Sequence, residues 1–381
     1  MSSLTFVVVA LLSSTLMLVF QALLWIKLRR GGQVVSRPPP ISVLKPLKGS
    51  DAELYENLAA FAEQRYPRFE LVLGAADGLD PALAVAHRLR ADYPHVCIQV
   101  VSGAPDVGLN PKVSNLAHLA AHARHELLLV SDADVRPDRD YLMAQAAALD
   151  DDVGLVHTVL CSTAARRVGA VLDALHLNTW IAPVVATSDR LGHPCVIGKS
   201  MLMRRADLER LGGWAAVKDV LAEDYVLGRG FQELGKRVVQ SAFVLTNLSP
   251  ERTLSEFWHR HVRWSQMRYR ISPVAYMAEL AGLPFVWWSL AMAMSPDWRL
   301  LAGLATFYAG QVSLARLLHE HALRVRYIAL MPLKDVLMIG IWIMGILKRH
   351  VDWRGVRMRI ARGSRLSPVT VVVPVEHDVV A

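Results

Sequence analysis

Cysteine and charge are scarce in this chain. Three cysteines occur in 381 residues, and so odd and sparse a set offers no disulfide framework and suits a reducing cytosol. The spacing of Cys97, Cys161 and Cys195 resembles no zinc site. Only 20% of the residues are charged while 53% are hydrophobic, which is apolar for a soluble enzyme. There is no internal repeat and no low-complexity tract, and the length suits one sizeable domain plus extra elements.

Long hydrophobic runs account for the excess of apolar residues, and the first spans residues 4–26. It carries no charge and is long enough to cross a bilayer as a helix. It lacks the basic start and small-residue cleavage site of a secretory signal, so residues 1–30 are predicted to form a retained transmembrane anchor. Lys27, Arg29 and Arg30 follow at once, which indicates that the C-terminal side of this helix is cytoplasmic.

Three further apolar runs predict membrane segments within residues 273–347. They span residues 276–295, 300–318 and 327–347. Three full crossings would leave the Arg-rich tail outside, against the positive-inside tendency, so one run is expected to be re-entrant or interfacial. Ionisable residues in these runs should face protein or a wet cavity; they are Glu279, Arg316, Lys334 and Asp335.

The net charge of +8 arises mostly from clusters beside the apolar runs, at residues 27–30, 252–270 and 348–365. Such charge could bind nucleic acid. The position beside membrane segments instead favours attraction to anionic lipid headgroups. We therefore expect a membrane partner and no nucleic acid, and residues 348–381 are predicted to be a basic tail.

Residues 41–250 alternate short apolar runs with helical patterns, after a Gly- and Pro-rich linker at residues 31–40. This alternation predicts a mostly parallel sheet covered by helices. Ligands of such sheets sit outside the carboxyl ends of the strands. The predicted strands are residues 41–44, 70–76, 96–101 and 127–131, and the predicted helices are residues 53–64, 81–91 and 112–125.

Acidic residues stand at two of these strand ends and recur further on. Asp77 follows the second strand, Asp132 and Asp134 follow the fourth, and Glu223 and Asp224 are adjacent. A nucleotide-sugar transferase needs such residues, because carboxylates are hard ligands for a magnesium or manganese ion that bridges an anionic diphosphate. Another carboxylate must take the proton of the acceptor hydroxyl.

A basic motif completes the set. Arg260, Arg263 and Trp264 share one face of a predicted helix at residues 251–272. Guanidinium groups at this spacing can clamp a leaving phosphate.

Each piece also has a structural interpretation. The Ser-Asp-Ala-Asp stretch could be an acidic turn, Asp77 another turn, and the 223–224 pair a solvated helix start. The helix at residues 251–272 has an apolar side typical of a helix on a membrane surface, formed by Leu254, Phe257, Trp258 and His261. All of these pieces occur together on one α/β domain between membrane anchors, and that conjunction favours a catalytic site.

Several longer stretches resemble the ceramide glucosyltransferases, glycosyltransferase family 21, and their bacterial relatives, which include hopanoid-associated glycosyltransferases. The resemblance covers nearly the whole chain from about residue 40. Its most distinctive stretch is VGLNPKVSNL at residues 107–116. The others are VLKPLKG (43–49), QRYPRFELVLGAADGLDPA (64–82), VGLVH (153–157), GKSMLMRR (198–205), AEDY (222–225), RHVRW (260–264) and DWRGVRMRI (352–360).

The resemblance implies a GT-A fold, a cytosolic catalytic domain at residues 41–250, and inverting transfer from a UDP-sugar to a lipid hydroxyl. It implies that Asp224 is the general base and that Asp77 contacts the uridine. Asp132 and Asp134 would hold Mn²⁺ or Mg²⁺ and the diphosphate. The donor would also be bound by Lys112, Arg260, Arg263 and Trp264.

The acceptor is less closely defined than the donor. Ceramide is the first expectation, and a hopanoid polyol that receives N-acetylglucosamine is the alternative. The ceramide enzymes carry a His-Pro pair where this chain has Ile181-Ala182. A processive polysaccharide synthase is disfavoured because Arg260 replaces the glutamine of its motif. A lipid-binding pseudoenzyme is the non-catalytic alternative, and frequent alanine and arginine indicate a bacterial inner membrane.

Overall fold

The computed structural model describes residues 2–29, 37–163, 165–318, 323–353 and 356–369. Residues 31–36 of the predicted linker and residues 370–381 of the predicted tail lie outside these ranges. The strands are β1 Ile41–Leu47, β2 Phe69–Ala75, β3 Cys97–Ser102, β4 Leu127–Ser131, β5 Val135–Arg136, β6 Val153–Ser162, β7 Ser200–Arg204, β8 Arg237–Asn247, β9 His350–Trp353, β10 Val356–Ile360 and β11 Leu366–Pro368. The helices are α1 Ser3–Arg29, α2 Leu54–Ala62, α3 Ala82–Asp92, α4 Pro111–His122, α5 Tyr141–Ala147, α6 Val168–His176, α7 Ala182–Arg190, α8 Arg205–Arg210, α9 Glu223–Glu233, α10 Leu254–Ile271, α11 Pro273–Ala281, α12 Pro284–Met294, α13 Trp298–Leu318 and α14 Met331–Leu347.

The central sheet has eight strands in the order β3-β2-β1-β4-β7-β6-β8-β5. Strands β1 to β4 are parallel, as are β6 and β8, while β7 runs antiparallel to both of its neighbours. Alternate side chains of β1 enter different cores: Val43 packs with α2, α3 and α5, and Leu44 with α4 and α9. The mostly parallel sheet with helices on both faces is therefore confirmed.

In the part of the chain that the structure describes, four helices are long and apolar enough to cross a membrane: Ser3–Arg29, Val168–Arg190, Trp298–Leu317 and Val325–Leu347. The second of these joins α6 and α7 through a π-helical turn, Leu177–Ile181, and 83% of its apolar window is buried inside the protein. It is therefore an interior helix that covers the sheet, and its apolar character reflects burial in protein.

The run predicted as one segment at residues 276–295 consists of two helices, α11 and α12, that are bent by 50°. Helix α12 packs on α1, where Trp288 Nε1 donates to Ser14 Oγ at 3.1 Å. Helix α13 runs in the same direction as α1. Gly303, near its start, lies against Trp288, which is bonded to Ser14 of α1. Further along both helices, Gln21 Nε2 donates to the Gln311 carbonyl at 3.1 Å. Helices α12 and α13 thus form a hairpin along α1.

Helix α14 lies along α10 and covers its apolar side. Phe257 is buried in one cluster with Met338 and Ile341, and Tyr276 stacks on Trp342 with ring centroids 5.4 Å apart. The prediction assigned this side of the 251–272 helix to a membrane surface. In the structure Phe257 and Trp258 of this side pack on α14, while Leu254 is 48% exposed. Apolar periodicity alone does not specify which apolar partner covers a helix, and the interfacial position stays a prediction.

The segment predicted as a basic tail contains a three-stranded antiparallel sheet, β9-β10-β11. Val351, Met358 and Ile360 pack on Leu221, just before α9. The Leu221 N–H donates to the Ser364 carbonyl at 2.9 Å, and the Ala222 N–H to Ser364 Oγ at 3.1 Å. The C-terminal sheet therefore holds the loop that leads to Asp224.

Candidate active site

The acids at the end of β4 lie in an ion-paired cluster. Lys199 Nζ lies 3.0 Å from Asp132 Oδ2 and 2.5 Å from Asp134 Oδ1. Lys112 Nζ lies 3.0 Å from Asp132 Oδ1 and 2.9 Å from Glu223 Oε1. Three carboxylates and two ammonium groups therefore alternate across the ends of β4, α4 and α9.

Burial alone would raise the pKa of Asp132, but Lys112 and Lys199 outweigh it and hold that pKa well below its usual range. A third lysine lies beneath the cluster, since Lys45 Nζ donates to the Asp132 carbonyl at 2.8 Å. Lys45 is fully buried over the Phe61 ring, and burial lowers the pKa of its ammonium despite the nearby aspartates. The Asp132 carboxylate thus stays ionised at neutral pH.

The Asn-Pro-Lys loop positions Lys112 by capping α4. The Asn110 side chain accepts from the Lys112 and Val113 N–H groups at 2.9 and 3.2 Å, as an N-cap residue does. Its Nδ2 donates to the Val220 carbonyl at 2.6 Å. One buried side chain therefore starts the helix that carries Lys112 and ties it to the segment before Asp224.

Asp224 stands at the start of α9 with both carboxylate oxygens held by backbone donors. The Gly198 N–H donates to Oδ2 at 2.6 Å and the Tyr225 N–H to Oδ1 at 2.8 Å. Burial, together with the adjacent Glu223 carboxylate, raises the pKa of Asp224 to about 7. A carboxyl group with this pKa can take up a proton near neutral pH, as a general base must.

Gly198 favours this close approach. A Cβ at this position would lie 3.0 Å from Asp224 Oδ2 and 3.2 Å from Lys112 Nζ. A side chain at this position would therefore push both groups by a few tenths of an ångström, whereas glycine lets the backbone N–H reach the carboxylate without displacing them.

The arginine motif lies on α10, above a buried aspartate. Arg260 lies over the Trp264 ring, 4.4 Å from its centroid, and its Nε is 3.8 Å from Asp173 Oδ1. Asp173 is 1% exposed and also pairs with Arg252 and with His261, whose Nε2 is 2.8 Å away. The position of Arg260 is thus set by an interior carboxylate on α6.

A single cavity of about 780 Å³ connects these groups. At its polar end lie Lys112, Asp132, Asp134, Lys199, Asp224, Arg260, Arg263 and Trp264. Its other end is apolar and is lined by α1 and by the interior helix, through Leu16, Met17, Phe20, Trp180, Ile181, Val184 and Val185.

The structure therefore brings together all the predicted site residues except Asp77. Asp77 is exposed at the end of β2 and lies outside the described lining of the cavity. Sequence reasoning missed Lys199, Gly198 and Asp173. The first two lie in GKSMLMRR, one of the stretches that carried the family resemblance, so a signal for them was present. Asp173 had no such signal, because it sits inside an apolar helix.

The polar end fits a divalent cation. The Lys199 ammonium marks a position between two carboxylates that attracts positive charge, and Asp132 and Asp134 are each about a quarter exposed to the cavity. Among the described residues no group of three or more His, Cys, Asp or Glu could hold a metal ion. Asp132 and Asp134 would be two of its ligands, and substrate phosphates and water could complete the coordination, as in many magnesium sites.

The sheet and its helices form a GT-A fold, with apolar helices at the N-terminus and in the C-terminal region. The family model for glycosyl transferase family 21 matches residues 4–366, and the chain belongs to glycosyltransferase family 21. The resemblance found in the sequence is therefore confirmed.

Curated relatives agree with this assignment. Ceramide glucosyltransferase 1 of Caenorhabditis elegans is 28% identical over 63% of this chain and 52% of its own length. The ceramide glucosyltransferase of Komagataella phaffii is 30% identical over 44% of this chain and 38% of its own. The chain thus spans about half the length of such relatives, or less.

Among solved structures, the mannosyltransferase PcManGT from Pyrobaculum calidifontis, in complex with GDP-Man and Mn²⁺, superposes with a TM-score of 0.52. It is 21% identical, and the match covers 90% of this chain and 99% of that one. At this identity the likeness establishes the fold.

Proposed function

We propose that this chain transfers a hexose from a UDP-sugar to the hydroxyl group of a membrane lipid, with ceramide as the first acceptor. The observation that carries the proposal is the single cavity, which joins a cluster of charged groups to an apolar wall formed partly by α1. A sugar diphosphate suits the first environment and a lipid chain the second. Asp224 lines the polar end of the same cavity, and the acceptor hydroxyl would be placed beside it.

The chain's own groups account for the chemistry of such a transfer. Asp224 takes the hydroxyl proton, while the Gly198 and Tyr225 N–H groups hold its two oxygens in place. Arg260 and Arg263 bind the diphosphate, and Lys112 and Lys199 add positive charge beside it. Attack from the side opposite the diphosphate inverts the sugar carbon. A divalent cation on Asp132 and Asp134, manganese or magnesium, would further stabilise the departing diphosphate.

Ile181 supports a second candidate for the lipid acceptor. It lines the apolar end of the cavity, at the position where the ceramide enzymes have a His-Pro pair. A hopanoid polyol that receives N-acetylglucosamine is therefore the alternative acceptor. It would occupy the same apolar end and use the same Asp224.

We assign the catalytic domain to the cytoplasmic side of a membrane, in keeping with a bacterial inner membrane. Lys27 ends the apolar part of α1 and pairs with Asp189 at 2.8 Å, so the positive end of α1 is on the domain side. The α12–α13 hairpin leaves this side and returns to it, and α14 lies along α10. The basic C-terminal sheet would then lie on the same side of the membrane as the domain. This arrangement agrees with the positive-inside tendency, which three full crossings would violate.

The proposal is tested with detergent-purified protein, a panel of UDP-sugars, and either ceramide or bacteriohopanetetrol, with products read by mass spectrometry. We expect a glycolipid on one acceptor and the release of UDP with it. Product on the hopanoid alone would replace ceramide and keep the mechanism. Failure to release UDP with either lipid, in protein that binds UDP-sugar, would contradict the transferase proposal and favour a lipid-binding scaffold.

A further inference from the structure

A second cavity, of about 480 Å³, lies at the C-terminal end of α10 and is separate from the one described above. Its walls are α10, the start of α11 and the C-terminal sheet. It is lined by Tyr269, Arg270, Pro273, Arg349, Arg359, Ile360, Ala361, Arg362 and Ser367. Four arginines therefore come together from three parts of the sequence, and the lining that the structure describes contains no acidic residue.

The four guanidinium groups stand apart from the acidic side chains that the structure describes. Among the described side chains, none of the four lies within 4.0 Å of a carboxylate. Arg270 Nε is buried and has no hydrogen-bond partner among the described residues. A buried, unpaired donor in a cluster of like charges is unfavourable, and a bound anion would satisfy it.

The cluster is held by backbone structure, so it is a built site. The Ile360 N–H donates to the Arg349 carbonyl at 3.0 Å, and Arg359 is paired in register with His350 across β9 and β10. Arg270 lies beside the Tyr269 ring, 5.1 Å from its centroid. The backbone at Arg349 and Arg359 is thus fixed, while the side chains of Arg349, Arg359 and Arg362 are exposed to an approaching ligand. Planar guanidinium groups match the oxygens of a phosphate group.

The position of the cavity indicates where the phosphate comes from. Pro273 lines the cavity, and directly after it Val274 is 82% exposed and Met277 is 51% exposed. Apolar side chains so exposed belong against lipid in a chain with apolar helices. A phosphate in this cavity would therefore sit where acyl chains can follow it along α11.

We propose that this arginine cavity binds the phosphate group of an anionic phospholipid. The same C-terminal sheet holds the loop before Asp224 through Ser364, and the Leu366 N–H donates to the Asp219 carbonyl at 2.7 Å. A bound headgroup therefore steadies both α10, which carries the arginine motif, and the loop that leads to Asp224. Anionic lipid should therefore raise the rate of sugar transfer. This expected activation rests on the proposed function, whereas lipid binding does not.

Binding is tested on the full chain in detergent, with phosphatidylglycerol, phosphatidylcholine and inorganic phosphate as probes and native mass spectrometry as the readout. The variant is Arg359→Gln with Arg362→Gln. The matched control is Arg324→Gln with Arg326→Gln, which removes the same charge from exposed arginines outside the cavity. We expect phosphatidylglycerol to bind the wild type and the control at least about tenfold more tightly than the cavity variant.

Equal affinity in all three proteins would overturn the proposal, as would equal affinity for phosphatidylcholine. If inorganic phosphate binds the cavity as tightly as phosphatidylglycerol does, the site is a site for free phosphate, and the proposal of a lipid ligand is overturned. UDP-sugar binding confirms that each variant is folded, and the single variant Arg362→Gln, whose side chain is exposed, serves if the double variant does not fold. If the cavity variant still transfers sugar in phosphatidylcholine but is no longer activated by phosphatidylglycerol, the proposed function and this inference both hold. If the wild type transfers no sugar in either lipid, the proposed function fails, and lipid binding is still tested by mass spectrometry.

Discussion

The two ends of the active-site cavity are held in different ways. At the polar end, every group depends on a specific partner: Lys199 on Asp132 and Asp134, and Asp224 on the Gly198 N–H. At the apolar end, Phe20 and Val184 contribute shape and no directed bond. Directed interactions lose most of their value when one partner changes, whereas apolar contacts lose area gradually. Variants at the polar end should therefore act on turnover, and variants at the apolar end on acceptor affinity.

The sharpest test of this contrast is Asp224→Asn. Because the amide cannot take the hydroxyl proton, we expect kcat to fall by about 10²- to 10⁴-fold while UDP-sugar affinity stays unchanged. Product formation and donor binding by calorimetry are measured side by side. The control is Glu233→Gln, an exposed carboxylate on the same helix, which should keep wild-type turnover. Unchanged turnover in Asp224→Asn would remove this residue as the base.

Removal of the divalent cation with a chelator tests how the polar end stabilises the leaving diphosphate. We expect EDTA to lower transfer by on the order of 10²-fold or more, because the leaving diphosphate loses a neutralising cation. Added manganese or magnesium should restore the rate. Full activity in chelator would mean that Lys112 and Lys199 neutralise the diphosphate and that Asp132 and Asp134 only orient them.

The pH profile reports the state of the base. Only ionised Asp224 can accept a proton, and burial beside Glu223 raises its pKa to about 7. We therefore expect kcat/KM to be level above that pH and to fall about tenfold per unit below it. The profile is measured with saturating metal ion and a fixed lipid fraction. A level profile down to pH 5 would contradict this assignment.

The smallest effect is expected at the apolar end. Val184→Trp narrows the cavity where the lipid chain would lie, so we expect the KM for the lipid to rise several-fold with kcat and donor affinity kept. Leu191→Trp, at an exposed position past the end of the same helix, is the control. A loss of kcat in Val184→Trp without a change in KM would break the distinction between the two ends.

Much of the polar end follows from local sequence. Asp132 and Asp134 end a buried strand, and parallel strands bring their carboxyl ends to one edge, so their place in the site could be predicted. The pairing of Lys199 with both acids could not, because it depends on how β7 packs against β4. Asp77 also follows the carboxyl end of a parallel strand, yet it lies outside the described lining of the cavity. The position of a residue at a strand end predicts the edge of the sheet on which it lies, but not where along that edge the ligand binds.

The membrane part was predicted less completely. Composition identified the apolar helices, but it does not say whether lipid or protein covers them. The interior helix at Val168–Arg190 and the span Val325–Leu347, which contains α14, are both apolar enough to cross a membrane. The apolar window of the first is 83% buried in protein, whereas that of the second is only 33% buried. The C-terminal sheet escaped prediction because its strands are short and basic on the outward side, at Arg357 and Arg359.

The central claim is that a lipid acceptor enters the apolar end and meets Asp224 within one cavity. The most direct test is a photoreactive analogue of the accepted lipid, cross-linked to the full chain and mapped by peptide mass spectrometry. The account predicts adducts in residues 16–20 and 180–185 that unlabelled acceptor prevents. Competed adducts confined to the outer faces of α13 and α14, with none at these positions, would contradict it.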